Sequence, residues 1–131
     1  MTAELPTPTG REMEILKVLW DRGPSSVRDV HAEMSDPDAE QTAFNTVQTL
    51  LRIMEVKQLV AHHSEGRAFI YTPLFSREES AARFLDRVFD GAASELMLSL
   101  LRAERVPATE LDRMHDLIAA ARGGRQSGGS R

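Results

Sequence analysis

From Gln41 to Leu59 the chain reads QTAFNTVQTLLRIMEVKQL, with apolar side chains recurring at Val47, Leu50, Leu51 and Met54. That is the i, i+3, i+4, i+7 spacing of a helix with one buried face. The opposite side of the same helix carries Asn45, Thr46, Gln48, Thr49 and Arg52. Exposed helix positions are usually filled by long, strong helix formers such as Glu and Lys. Here they are mostly short hydrogen-bonding side chains, of the kinds that reach base edges.

Other segments declare themselves in the same way. A Ser or Thr followed three residues later by an acid marks a helix start. The spacing occurs at Thr9 with Glu12, Ser26 with Asp29, Ser76 with Glu79 and Thr109 with Asp112. The first helix is predicted over Gly10 to Asp21, with Met13, Leu16, Leu19 and Trp20 buried and Gly23-Pro24 ending it. The second is predicted over Val27 to Met34, burying Val27, Val30 and Met34. SDPDAEQ is a polar loop, and Thr42 is the expected cap of the third helix. In LVAHHSEGRAFIYTPL, two alternating runs flank Glu65-Gly66-Arg67, which predicts a β-hairpin ended by Pro73. From Ser76 the period is helical again, with Ala81, Phe84, Leu85 and Val88 in one stripe and Gly91 as the stop. A dense apolar helix, ASELMLSLLRAE, follows, and then a last stripe of Leu111, Met114, Leu117, Ile118 and Ala121. The closing GGRQSGGSR has no core-forming residue and reads as a flexible tail.

Three helices and a hairpin, in that order, are the elements of a winged helix-turn-helix. The fold class is therefore mainly α with a small β-hairpin wing, followed by a C-terminal helical dimerisation domain. The expected divisions are 1–73 for DNA binding, 74–122 for dimerisation and 123–131 for the tail. In such a fold the third helix enters the major groove and the wing lies along the backbone or minor groove. Thr and Asn hydrogen-bond base edges, Gln pairs with adenine, and an Arg one turn on reaches guanine or phosphate. Arg67, at the wing tip, suits a phosphate or narrow minor-groove contact. The DNA-reading set is thus Asn45, Thr46, Gln48, Thr49, Arg52 and Arg67. The competing reading is a winged-helix adaptor that binds protein and no specific DNA sequence.

Charge changes the picture little. The net charge of −4 favours the adaptor. However, residues 1–41 hold four basic against nine acidic side chains, while 42–72 hold Arg52, Lys57 and Arg67 against Glu55 and Glu65, with His62 and His63 added. The acidity lies mostly outside the stretch predicted to read DNA. At 131 residues, one domain or two small ones is expected. No apolar run approaches the roughly 18 residues of a membrane span, and MTAELPTPTG has no signal-peptide pattern, so a cytoplasmic protein is expected.

The C-terminal helices raise a separate point. Leu96, Met97, Leu98, Leu100 and Leu101 cover more than one helix face. Three helices over 76–122 are too few to bury them, so a second copy is the expected cover. Leu96, Leu100 and Leu101 are the candidate dimer core, with Phe84 and Val88 beneath them.

EILKVLWDRGPSSVRDVHAEM, NTVQTLLRIMEVKQLV, RAFIYTPLFSREESAARFLDRVFDG and ASELMLSLL resemble successive blocks of the penicillinase-repressor (BlaI/MecI/CopY) family. The resemblance runs from about Thr9 to Ala121, with LWDRGP, TVQTLL and FDG in the family's order. It implies a homodimeric transcriptional repressor bound to a dyad operator. It also implies release by one of two routes: cleavage of the dimer domain by a membrane metalloprotease sensor, or metal binding through C-terminal cysteines. This chain has no cysteine, so the second route lacks ligands. For the first, the family's Asn-Phe cut corresponds here to Ser99-Leu100. Two further departures from the pattern are Ile53, where the family commonly has Arg, and Gln58, where a Gly usually precedes the wing.

No other chemistry stands out. His62 and His63 are strand neighbours on opposite faces and cannot chelate one ion together. Either could meet a DNA phosphate when protonated. No phosphate-cradling glycine loop, HExxH or nucleophile elbow occurs. Neither an enzyme nor a cofactor or metal is expected.

Overall fold

The structure is a computed structural model, and it describes residues 7–34 and 43–128. The predicted loop over 35–41 and the predicted cap Thr42 lie outside the described residues. The elements, in chain order, are α1 (Gly10–Arg22), β1 (Ser25–Ser26), α2 (Val27–Glu33), α3 (Phe44–Val56), β2 (Val60–Glu65), β3 (Ala68–Pro73), α4 (Arg77–Phe89), α5 (Ala93–Arg102) and α6 (Ala108–Gly128). The chain divides into two compact units, 1–81 and 82–131.

The first unit is a winged helix. Thr9 caps α1 through a reciprocal box: its hydroxyl accepts the Glu12 N–H and its own N–H donates to Glu12 Oε1 at 2.8 Å. Ser26 and Asp29 do the same for α2, and Ser76 and Glu79 for α4. At Thr109 the predicted box is replaced. The Pro107 carbonyl takes the Leu111 N–H, so α6 begins at Ala108 and Thr109 already lies inside it. The third helix starts from Ala43, which makes no side-chain cap bond.

The three strands form an antiparallel sheet in the order β1-β3-β2. The register Glu65↔Ala68 leaves Gly66-Arg67 as a two-residue turn, with Gly66 at φ 62. Glycine at the first turn position meets that positive φ without a Cβ clash. The short strand β1, which pairs Ser25 with Tyr71 and Ser26 with Ile70, was not predicted. Two residues are too few to show a period.

The core collects Ile15, Leu16 and Leu19 of α1, Val30 of α2, and Val47, Leu51 and Met54 of α3. Leu59, Val60, Tyr71 and Phe75 complete it. On α1 the stripe is rotated from the prediction, with Ile15 fully buried and Met13 and Trp20 at its edge. On α2 only Val30 is fully buried, and Val27 and Met34 pack on the core from its margin. The Trp20 indole donates to the Phe75 carbonyl at 2.9 Å, and their rings meet edge to face.

The exit of α3 fixes where the wing begins. The Leu59 N–H reaches the Met54 carbonyl and the Gln58 N–H reaches that of Glu55, a Schellman motif. Its C′ residue is Gln58 at φ 63, so a non-glycine does hold the left-handed position.

The second unit holds most of α4, then α5 and α6. None of its described side chains is fully buried. Phe84, Val88, Leu98, Leu100, Leu101, Leu111, Leu117 and Ile118 are all exposed. The run from Gly123, predicted as a tail, continues as helix to Gly128. Glycine weakens a helix by about 1 kcal/mol relative to alanine and does not forbid it.

Candidate nucleic-acid interface

The buried side of α3, Val47-Leu51-Met54, anchors it on α1 and α2 and dictates what the other side presents. Asn45, Thr46, Thr49 and Arg52 are all exposed on that outward side, as the sequence predicts. Gln48 lies on the flank and is half-buried. It lines a groove of about 540 Å³ together with Ser26, Val27, Arg28, Phe44, Arg67, Ala68 and Phe69. The structure therefore brings Gln48 and Arg67 to one cleft and leaves the other four residues exposed on α3 outside it.

The residues of this cleft that the sequence-derived set lacks include Arg28, Phe44 and Phe69. Arg28 left a readable signal, since a cation in the first turn of a helix opposes its dipole. Phe44 and Phe69 are large exposed aromatics beside it. Among the described residues, Arg28, Arg52 and Arg67 make no ion pair. Three guanidinium groups are thus available to anions on this side of the unit.

The acids of the same region are engaged. Glu55, in the last turn of α3, meets His62 Nδ1 at 2.6 and 2.8 Å. His62 in turn stacks on Phe69 at 4.4 Å and lies 5.5 Å from Tyr71. Burial chiefly, with the Glu55 charge adding, pushes the Tyr71 hydroxyl above its ordinary pKa, and Arg52 partly offsets this. This cluster ties the end of α3 to the wing strands. Glu65 is met by His63 Nε2 at 3.0 Å. The two histidines face opposite ways, and among the described residues no group of three His, Cys, Asp or Glu could hold a metal ion.

A buried ion pair braces the helix from beneath. Glu12 is 1% exposed, and Lys57 Nζ reaches both its oxygens, at 2.9 and 3.0 Å. Burial pulls the Glu12 pKa upward, but the Thr9 backbone N–H, the Lys57 ammonium and the Thr9 hydroxyl outweigh it, and the net shift is downward. Lys57 is the C-cap residue of α3, so the start of α1 is clamped to the end of α3. At α2, hydrogen bonds from the Ser26 backbone and hydroxyl lower the Asp29 pKa, with Arg22 and Arg28 assisting.

The predicted cleavage bond, Ser99-Leu100, lies in the second unit within α5. Both side chains are exposed, but the Ser99 carbonyl accepts the Ala103 N–H at 2.9 Å and the Leu100 carbonyl accepts that of Arg105 at 3.1 Å. The bond is therefore helical, not extended.

Known proteins match this chain along most of its length. The sequence pattern of a family described as penicillinase repressor covers residues 8–120. The chain is 26% identical to a penicillinase repressor of Bacillus licheniformis over 119 residues, 88% of this chain and 91% of that one. It is 31% identical to the transcriptional regulator BlaI of Mycobacterium tuberculosis over 118 residues, 86% of this chain and 83% of that one. Among solved structures, the DNA-binding domain of the repressor BlaI superposes with a TM-score of 0.50 at 29% identity, covering 60% of this chain and 93% of that domain.

Proposed function

This chain belongs to the penicillinase repressor family, and we propose that it works as a homodimeric transcriptional repressor reading a dyad operator with α3 and the wing. The observation that carries the proposal is the outward side of α3. Asn45, Thr46, Thr49 and Arg52 are exposed there on a helix whose opposite side is locked into the core. An α-helix fits the major groove, and these side chain types suit its donor and acceptor pattern. Arg28 and Arg67 border the cleft beside the helix, where phosphate contacts would set register without reading sequence. The relatives named above as repressors support the same reading.

In this proposal, residues 1–73 bind DNA and residues 74–122 dimerise. The exposed Phe84, Val88, Leu100 and Leu101, with half-buried Leu96, leave apolar surface that a second copy would cover. A two-fold dimer presents two copies of α3 to two half-sites about 34 Å apart. A membrane metalloprotease sensor is the further partner that the family resemblance suggests. The adaptor reading keeps one observation in its favour, the net charge of −4.

The test is a titration of the protein's own upstream DNA at several salt concentrations. Thr49→Ala should weaken specific binding by about 1–3 kcal/mol and leave non-specific binding nearly unchanged. Arg67→Ala should weaken binding to all sequences alike and reduce the salt slope by about one. Wild-type operator affinity in Thr49→Ala would place the reading face elsewhere. Absence of any salt-dependent shift would favour the adaptor.

A further inference from the structure

The outward side of α3 holds a second pattern, distinct from its hydrogen-bonding groups. Thr46, Thr49, Ile53 and Val56 are spaced i, i+3, i+7, i+10. At 3.6 residues per turn they fall within an arc of about 80°. All four are exposed, Ile53 at 42% and Val56 at 84%. All four are β-branched and carry a methyl group on Cβ. The corresponding exposed face of α1 is Arg11, Glu14 and Lys17, long and charged.

This column runs against local preference. β-branched residues lose χ1 freedom in a helix and are poorer helix formers than Arg, Glu or Lys. Ile53 and Val56 also leave much of their apolar surface in water. A feature that opposes both propensity and burial is expected at functional positions. The same stiffness has a use, because a side chain with one preferred χ1 loses little entropy when a surface closes on it.

Ile53 sits directly beside Arg52 and one turn beyond Thr49. Its side chain neither donates nor accepts a hydrogen bond. In a major groove the apolar group that such a side chain can cover is the C5 methyl of thymine. From these observations we infer that Ile53 is a specificity-determining residue that selects thymine in each half-site by apolar contact with its 5-methyl group. The inference rests on the proposed DNA-binding role of α3. Thr49 precedes Ile53 by about 6 Å along the helix axis. That is somewhat under two base-pair steps at about 3.4 Å each. The Thr49 methyl therefore meets a different base pair from the one Ile53 reads.

The experiment uses the full chain and duplexes selected from a random-sequence pool. Each thymine of the selected half-site is replaced in turn by uracil, which lacks only the methyl group. For wild type, one such replacement should weaken binding about fourfold, the value of one buried methyl contact. In Ile53→Ala that penalty should vanish. In Thr49→Ser, which removes a different methyl, it should persist. Ile53 is outside the core, so thermal melts should show the variants folded. A uracil penalty unchanged in Ile53→Ala, or no uracil-sensitive thymine at all, overturns this inference alone. A wild-type chain that selects no sequence from the pool overturns the DNA-reading proposal beneath it.

Discussion

Replacing Glu12 by Gln tests whether the clamp between α1 and α3 holds the winged unit together. Glu12 is almost fully buried, while the Lys57 side chain keeps 29% of its surface in solvent. Gln preserves the shape and can still accept the Thr9 N–H as the third residue of the capping box. It removes the charge, and it turns an amide NH2 toward the ammonium. Breaking a fully buried pair costs roughly 3–5 kcal/mol. Because Lys57 can turn to water, the expected loss is at or below that lower bound, about 2–3 kcal/mol. For a domain of this size that corresponds to a fall in Tm of roughly 10–20 °C.

The acid limb gives an independent check. The folded-state pKa of Glu12 is depressed. Its contribution is therefore complete above the unfolded carboxylate value of about 4.3 and is lost as pH falls through the lower folded value. Urea unfolding at pH 7 and across the range below pH 5 should show wild type losing this increment and Glu12→Gln lacking it throughout. In Lys57→Met the acid-dependent loss should shrink, since the depression has lost the ammonium's share. A Glu12→Gln variant as stable as wild type at pH 7 would refute the argument. So would an acid limb unchanged by either substitution.

Three further outcomes are expected. Gln58→Gly removes a Cβ from a position at φ 63 and should raise the stability of the winged unit by about 1 kcal/mol, read as an increased urea midpoint. Leu100→Asp puts a charge on the apolar surface of α5 and should convert the proposed dimer to monomer in sedimentation while weakening operator binding by roughly 10²–10⁴-fold. Co-expression with an antibiotic-sensing protease of the family should leave the chain uncut or slowly cut at Ser99-Leu100, because the Ser99 carbonyl must first release the Ala103 N–H. Rapid site-specific cleavage, detected by mass spectrometry, would contradict that.

Local pattern carried much of this architecture into the sequence. Val47, Leu51 and Met54 state the helical period of α3, and Gly66 marks the hairpin turn. Three of four capping boxes stand as predicted, because each joins residues only three apart. The fourth failed where the helix starts at Ala108, with Pro107 two residues ahead of the predicted Thr109 cap taking the Leu111 N–H. What stayed hidden depends on long-range pairing. Strand β1 exists only because Ser25 and Ser26 meet Tyr71 and Ile70. Glu12 was legible as a capping residue but not as the partner of Lys57, 45 positions away. The groove residues Arg28, Phe44 and Phe69 come from three different elements, and only folding brings them beside Gln48.

Engaged acids and free bases account for how an acidic chain could approach DNA. Across α3 and the wing, Glu55 and Glu65 are each bonded to a histidine, while Arg28, Arg52 and Arg67 are exposed and carry no ion pair among the described residues. Three guanidinium groups neutralise only a few phosphates. A single unit would therefore bind weakly, and its affinity would fall only gently with salt. Joining two units makes the second half-site encounter intramolecular, with an effective concentration that can reach millimolar. On the proposed reading, the exposed apolar surface of α4 and α5 is what supplies that junction. The small number of exposed arginines around α3 and the wing and the uncovered leucines of the C-terminal helices then have one explanation. Neither half would make a strong repressor alone, and specificity would rest on the base contacts of α3 more than on electrostatic attraction.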